Sequence, residues 1–205
     1  MSKQPSTTLA TRWHEIATQL EKATDALGRP IDPGIMELVV ALNVLGILTD
    51  SSCEGHLEHG HAAPWVDFYA PGTESVRRQA SDANRALREA EEREDAPEVI
   101  QELVNEVFRL ARTEQVTYYK GAWLVHQALE AFYDQHPSPY DQQLYLHSDS
   151  FGHSRLQPHG IDYQPQHTRE VQATKLAQYQ QEVQDFTQFL KNDYLLREHS
   201  DHQEV

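Results

Sequence analysis

The chain has 205 residues, 39% of them apolar, and 17 Lys and Arg stand against 32 Asp and Glu for a net charge of −15. That length and composition suit one sizeable core, and nowhere do about 18 apolar residues run together, as a membrane span requires. So acidic a surface opposes a nucleic-acid partner; one cysteine builds no disulfide framework and the polar start Met1–Thr8 has no secretory h-region, so the expected compartment is cytoplasmic.

Leu9, Trp13, Ile16, Leu20, Ala23 and Leu27 alternate steps of four and three, which predicts an amphipathic helix stopped by Gly28-Arg29-Pro30. Asp32 suits an N-cap with Pro33 at the first helical position, and Ile35, Leu38, Val39, Leu42 and Leu45 form the stripe of a second helix that ends at Gly46. Ile47–Cys53 reads as a strand, Glu54–Ala63 as a loop, and Pro64–Ala70 as a strand with Val66 and Phe68 on one side and Trp65, Asp67 and Tyr69 on the other.

Ser75–Glu94 carries a thin apolar stripe among many charges and predicts an exposed helix able to act as a flap. Asp95-Ala96-Pro97 is a boundary, after which Val99, Ile100, Leu103, Val104, Val107, Phe108 and Ala111 make a stronger face. Trp123, Leu124, Ala128, Phe132 and Tyr133 predict a further helix, with Val116–Tyr119 between them open to an extended reading. Gln143–His147 and Ser154–Pro158 read as strands joined at Gly152. A long helix, 166–197, follows with the stripe Leu176, Tyr179, Val183, Phe186 and Leu190. A coiled coil needs about three or four heptads of such spacing, more than this stripe offers, so packing on its own domain is the first expectation and self-association the alternative. Residues 1–8 and 198–205 are expected to fray.

The fold class expected is a single α+β domain over 1–205: a small antiparallel or mixed sheet of about four strands, with helices before, between and after them. Alternation assigns Val66, Phe68, Leu144, Leu146 and Leu156 to a buried face. It sends Asp67, Tyr69, Tyr145, His147, His153, Arg155 and Gln157 to a polar floor under the Ser75–Glu94 helix.

The densest chemistry lies in Ser51–His61, which holds the only cysteine, three histidines and two carboxylates at a strand end. Three readings stand side by side. Cys53, His56, His59 and His61 offer a thiolate and imidazoles in a C-x2-H-x2-H-x-H pattern, a donor set suited to a divalent transition metal such as zinc. Cys53 with His56 as catalytic pair would instead form a thiolate–imidazolium nucleophile, with Gly55 letting backbone amides approach an oxyanion. The third reading is structural, with a small buried cysteine and a wet histidine loop. His147, His153, His159 and His167 form a second cluster able to complete a site across the sheet. Arg155, Asp67, Tyr145 and His147 are the substrate-binding candidates, Arg155 as a fork for an anionic group and Asp67 as support for the loop residues.

From Leu42 to His56, followed by Pro64-Trp65-Val66-Asp67-Phe68, the chain resembles uncharacterised bacterial and phage proteins. These carry a helix, then G-I-x-T-x-x-S-C-x-G-H, then a short strand, and the resemblance implies no particular activity. Thr49–His56 also resembles the T-x-S-S-C-S-G-R segment of wybutosine-synthesis methyltransferases, but Glu54 and His56 replace its serine and arginine and no glycine-rich nucleotide loop is present. His59-Gly60-His61 is similar to the C-x3-H-G-H of 6-pyruvoyl-type pterin synthases, but with the cysteine at a different spacing. The functional expectation is therefore a small-molecule enzyme or metal-binding protein centred on Cys53–His61. The alternative is a non-catalytic acidic interaction protein using its C-terminal helix.

Overall fold

The computed structural model describes residues 8–25, 27–69, 72–150 and 153–197, the side chains of 113–120, 149–150 and 162–165 excepted. Helix α1 (Leu9–Leu20) starts at Thr8, whose hydroxyl accepts from the Thr11 amide. It ends about two turns before the point its apolar spacing predicts. Asp25 is the cause: its Oδ1 accepts from the Leu27 and Arg29 amides at 2.8 Å each, and Thr24 bridges Pro30. This local turn competes with the helix, and Leu27 is left 75% exposed.

Helix α2 (Pro33–Val44) is the centre of the domain. Ile35, Leu38, Val39, Val40, Ala41, Leu42 and Val44 are all buried, so the helix is apolar almost all round and covered over most of its surface, with Glu37 left to solvent. At its end Gly46 takes φ +93°, and the Ile47 amide returns to the Leu42 carbonyl.

Strands β1 (Leu48–Cys53), β2 (Trp65–Tyr69), β3 (Leu144–Ser150) and β4 (His153–Pro158) form one antiparallel sheet in the order β1-β2-β4-β3. The architecture is α+β, with helices before, between and after the strands. Val66, Phe68, Leu144 and Leu156 are buried on one face, with Leu146 packed against them. On the other face Asp67 stands opposite Arg155, Tyr69 opposite His153, and Tyr145 opposite Gln157, as period-two alternation requires.

Helix α3 (Glu74–Glu92) buries only Ala90 and packs against α4 (Pro97–Tyr133). The expectation of two helices broken near Val116–Tyr119 is corrected: α4 runs unbroken for 37 residues. No proline interrupts it after Pro97, and extending an existing helix adds one hydrogen bond per residue fixed, which outweighs the weak propensity of a short β-branched stretch. Its C-terminal part enters the core through Val125, Ala128, Leu129 and Phe132. Trp123 and Phe108, assigned to apolar faces by spacing, are 56% and 68% exposed; the thin apolar stripe of α3 covers only a narrow band of the first half of α4 and leaves Phe108 outside it.

A 3-10 segment (His159–Gln166) leads into α5 (Arg169–Phe189), which Thr168 caps. Leu176, Tyr179, Val183, Phe186 and Leu190 are all buried within this chain, and Phe186 meets Phe132 edge-on at 5.3 Å. A π-turn (Leu190–Tyr194) then inserts a residue into the helical repeat, with the Leu195 amide donating to the Leu190 carbonyl. The insertion brings Leu195 back toward the interior, where it packs with Val40 and Val44. Among the described residues no helix is long and apolar enough to cross a membrane.

Candidate metal centre

Cys53 closes β1 opposite Trp65, immediately before the histidine loop. The loop is tied down in sequence-distant places. The Arg169 guanidinium donates to the Leu57 carbonyl at 2.9 Å and to Glu58 at 2.7 Å. The Gln180 side-chain amide donates to the Glu54 carbonyl at 3.0 Å. Gly55, at φ +87°, lies so close to Leu176 and the Ala63–Pro64 backbone that a Cβ there would meet atoms at 2.6–3.0 Å. Helix α5 thus clamps the loop, and the His56 amide donating to the His61 carbonyl closes it.

Asp32 and Glu54 exchange the roles their positions suggest. Asp32 occupies the N-cap position of α2 but makes no side-chain cap bond. Its Oδ2 instead accepts from the Glu54 amide at 3.1 Å and lies 3.3 Å from His56 Nε2. Glu54 reaches back to accept from the Gly34 amide of α2 at 2.7 Å, which satisfies an unpaired donor of that helix end. The side chains of Asp32 and His56 are 32% and 25% exposed, so the pair sits at the rim of the fold rather than in its core.

One donor atom each from Asp32, Cys53 and His56 fall within 4.8 Å of one another. In a tetrahedron with metal–donor bonds of about 2.05 Å, nitrogen and oxygen donors stand about 3.3 Å apart, which is the separation of His56 Nε2 and Asp32 Oδ2. The three residues line a cleft of about 440 Å³, together with Arg29, His59 and Trp65. That volume suits a small ligand.

Burial pushes the Cys53 thiol up, and the neighbouring Asp32 and Glu54 carboxylates add to the rise; the Gly55 amide, 3.3 Å from Sγ, opposes it. A nucleophilic thiolate needs an electropositive setting, and this one is acidic. A divalent cation would reverse the balance, because it stabilises the thiolate and both carboxylates together.

The other candidate residues stand outside the donor group, although His59 shares its cleft. His59 stacks on the His56 ring at 4.3 Å, 16° from parallel, and His61 contributes its carbonyl to the loop; neither belongs to the three-residue donor group. Arg155, the proposed anion fork, makes its fork inside the protein: Nε and an Nη bond the two Asp67 oxygens at 2.6 and 2.8 Å, and the guanidinium lies 4.1 Å over Trp65. Asp67 is 4% exposed and also accepts from Ser51 at 3.2 Å, so it is held by the sheet rather than by the loop. Tyr145 accepts from Gln157 and stacks on His159, while His147 is exposed with its ring edge-on to Tyr145.

The second histidine cluster does not join the loop. His153 lies tilted against Tyr69 at 4.6 Å, His159 is sandwiched by Tyr140 and Tyr145, and His167 offers its carbonyl to Gln172. Asp32 is the member of the donor group that spacing missed, because an Asp before Pro33 satisfies the N-cap pattern and gives no sign that a loop about 20 residues later claims its carboxylate. The weak signal available was Glu54: a carboxylate beside the cysteine is able to replace the cap.

No family model matches the chain, and neither the curated proteins nor the solved structures provide a match.

Proposed function

We propose that the protein is a metal-dependent enzyme of small-molecule chemistry, with a divalent ion, zinc by donor type, on Asp32, Cys53 and His56. The observation that supports this most directly is the convergence of a carboxylate, a thiol and an imidazole within 4.8 Å at the wall of a cleft. Three protein ligands leave a fourth position for water or substrate, the arrangement of catalytic rather than structural zinc. The charges balance as well: one carboxylate, one thiolate and one neutral imidazole neutralise a divalent ion. Bound there, the ion would acidify a water molecule or polarise a carbonyl. The cysteine must stay reduced, which accords with a cytoplasmic setting.

Metal binding in this reading displaces the Cys53 proton, so affinity falls as pH falls. Titration of the metal-free protein with cobalt should produce a thiolate-to-metal charge-transfer band, and zinc loading should bring hydrolysis of an activated ester that tracks occupancy. His56→Ala should lose both. A band without any turnover would leave a metal-binding protein and remove the enzymatic part of the proposal; no band would remove the metal as well.

The interaction reading draws on a different observation, the exposed Val99, Phe108 and Trp123 of α4, since the α5 stripe is already spent on the chain's own core. Light scattering that finds only monomer would count against self-association through that helix.

A further inference from the structure

The outward face of the sheet carries a second cavity, at the Tyr69 end of β2. A solvent-open hollow of about 600 Å³ lies between the first turns of α3, Val107 and Ala111 of α4, and the side chains of Tyr69 and His153. Small residues, Ala80 and Ser81 on α3 and Ala111 on α4, make the space.

Arg77 is the cation best placed to use it. Its guanidinium carbon stands 3.5 Å above the centre of the Tyr69 ring, which fixes the position of the group. Its Nε is buried and has no acceptor among the described residues. Two other nearby carboxylates are already paired, while Asp50 lies close enough to act on the Tyr69 phenol. Arg78 bonds Glu74, the one carboxylate among the described residues lining the cavity, at 2.5 Å. Asp67 is forked by Arg155, with His153 Nε2 at 3.8 Å from the same carboxylate. Ser81 and Asn84, four and seven residues after Arg77, fall on the same side of α3 and line the cavity; the Asn84 amide gives one of its protons to the Ala80 carbonyl at 2.8 Å and keeps a second. A buried donor without an acceptor is costly, and an anion supplies the missing acceptor.

We infer that this cavity is a binding site for the oxyanion end of a small molecule, a phosphate or a carboxylate, with Arg77 as the charged contact and Ser81 and Asn84 as neutral ones. Tyr69 forms its floor. Burial, with Asp50 nearby, pushes the Tyr69 phenol up despite Arg77, so its hydroxyl stays a donor at neutral pH. The site is distinct from the metal donor group: Cys53 pairs with Trp65, and Tyr69 lies roughly 13 Å further along β2, although the cleft wall itself runs along β1 as far as Asp50, beside the Tyr69 phenol.

The test measures NMR relaxation of inorganic phosphate (31P) and of succinate (1H) in the presence of the protein at constant ionic strength. The set is wild type, Arg77→Gln, Ser81→Glu, Cys53→Ala and, as a surface control, Arg109→Gln. Wild type, Cys53→Ala and Arg109→Gln should broaden the probe equally. Arg77→Gln and Ser81→Glu should weaken binding about tenfold, the worth of one charge-assisted bond. Ser81 is exposed on α3, so its variant keeps the test valid should Arg77→Gln unfold. A stronger effect on phosphate marks a phosphate ester as the ligand class; a stronger effect on succinate marks a carboxylate. Equal broadening in wild type and both cavity variants overturns the inference. So does loss in Cys53→Ala, which would move the anion to the metal cleft, or no effect of wild type on either probe.

Discussion

A thiol between two carboxylates resists ionisation, and this sets the behaviour expected of Cys53 at the scale of the single residue. With its proton affinity raised by burial, then by Asp32 and Glu54, metal-free protein should alkylate at pH 8 more slowly than an unperturbed thiol. Asp32→Asn removes one of the opposing charges and should speed the reaction. Alkylation as fast as a free thiol, unchanged by Asp32→Asn, would contradict the electrostatic account. His159 provides a test of opposite chemistry. Burial between Tyr140 and Tyr145 lowers its proton affinity. Below about pH 6.5 the unfolded chain therefore takes up the proton first, and stability falls as pH falls. His159→Phe, which keeps the aromatic sandwich, should flatten the decline in melting temperature between pH 7.5 and 5.5; an equally steep decline would show that other groups control it.

At the scale of the element, the loop is held by a helix more than a hundred residues away in sequence, and Gly55 is where the two meet. Gly55→Ala places a methyl group against the Ala63–Pro64 backbone at a positive φ, and neither neighbour can rotate aside. A cost of about 2–4 kcal/mol is expected, with loss of metal affinity, because Cys53 and His56 flank the displaced residue. Gly60→Ala has φ +68° but no atom within 4 Å, and should cost only about 1 kcal/mol. Denaturant unfolding of the two variants measures the difference; equal costs would mean that the clamp is not tight. Elements were legible in the sequence wherever an apolar period was unopposed. The α5 stripe and the alternation of β2, β3 and β4 are buried as their spacing requires. They were illegible where a polar side chain redirected the backbone, as Asp25 does after α1, or where a hydrogen-bond slip occurs inside a helix, as at Leu190–Tyr194. Neither leaves an apolar signature.

For the whole molecule, the α+β class followed from the count and order of periodic segments, while the donor group did not. Cys53 and His56 were visible because they lie close in sequence; Asp32 was hidden because its contact is tertiary. The fold brings the start of α2 against the end of β1, and this meeting, rather than the histidine-rich loop alone, gathers the three donors. The distribution of charge agrees with that reading: in a chain of net charge −15, the cleft wall sets Asp25, Asp32 and Asp50 against Arg29, and Glu54 next to the thiol adds to its proton affinity, an arrangement a divalent cation relieves.

The most direct test is elemental analysis of untagged protein purified without chelator, beside Asp32→Ala, Cys53→Ala, His56→Ala and His61→Ala. The account predicts close to one divalent transition metal per chain in the wild type and in His61→Ala, and its loss in the other three. Metal that survives Asp32→Ala but disappears in His61→Ala would contradict the donor set, and a wild type that takes up no metal, even when zinc is supplied, would contradict the central claim.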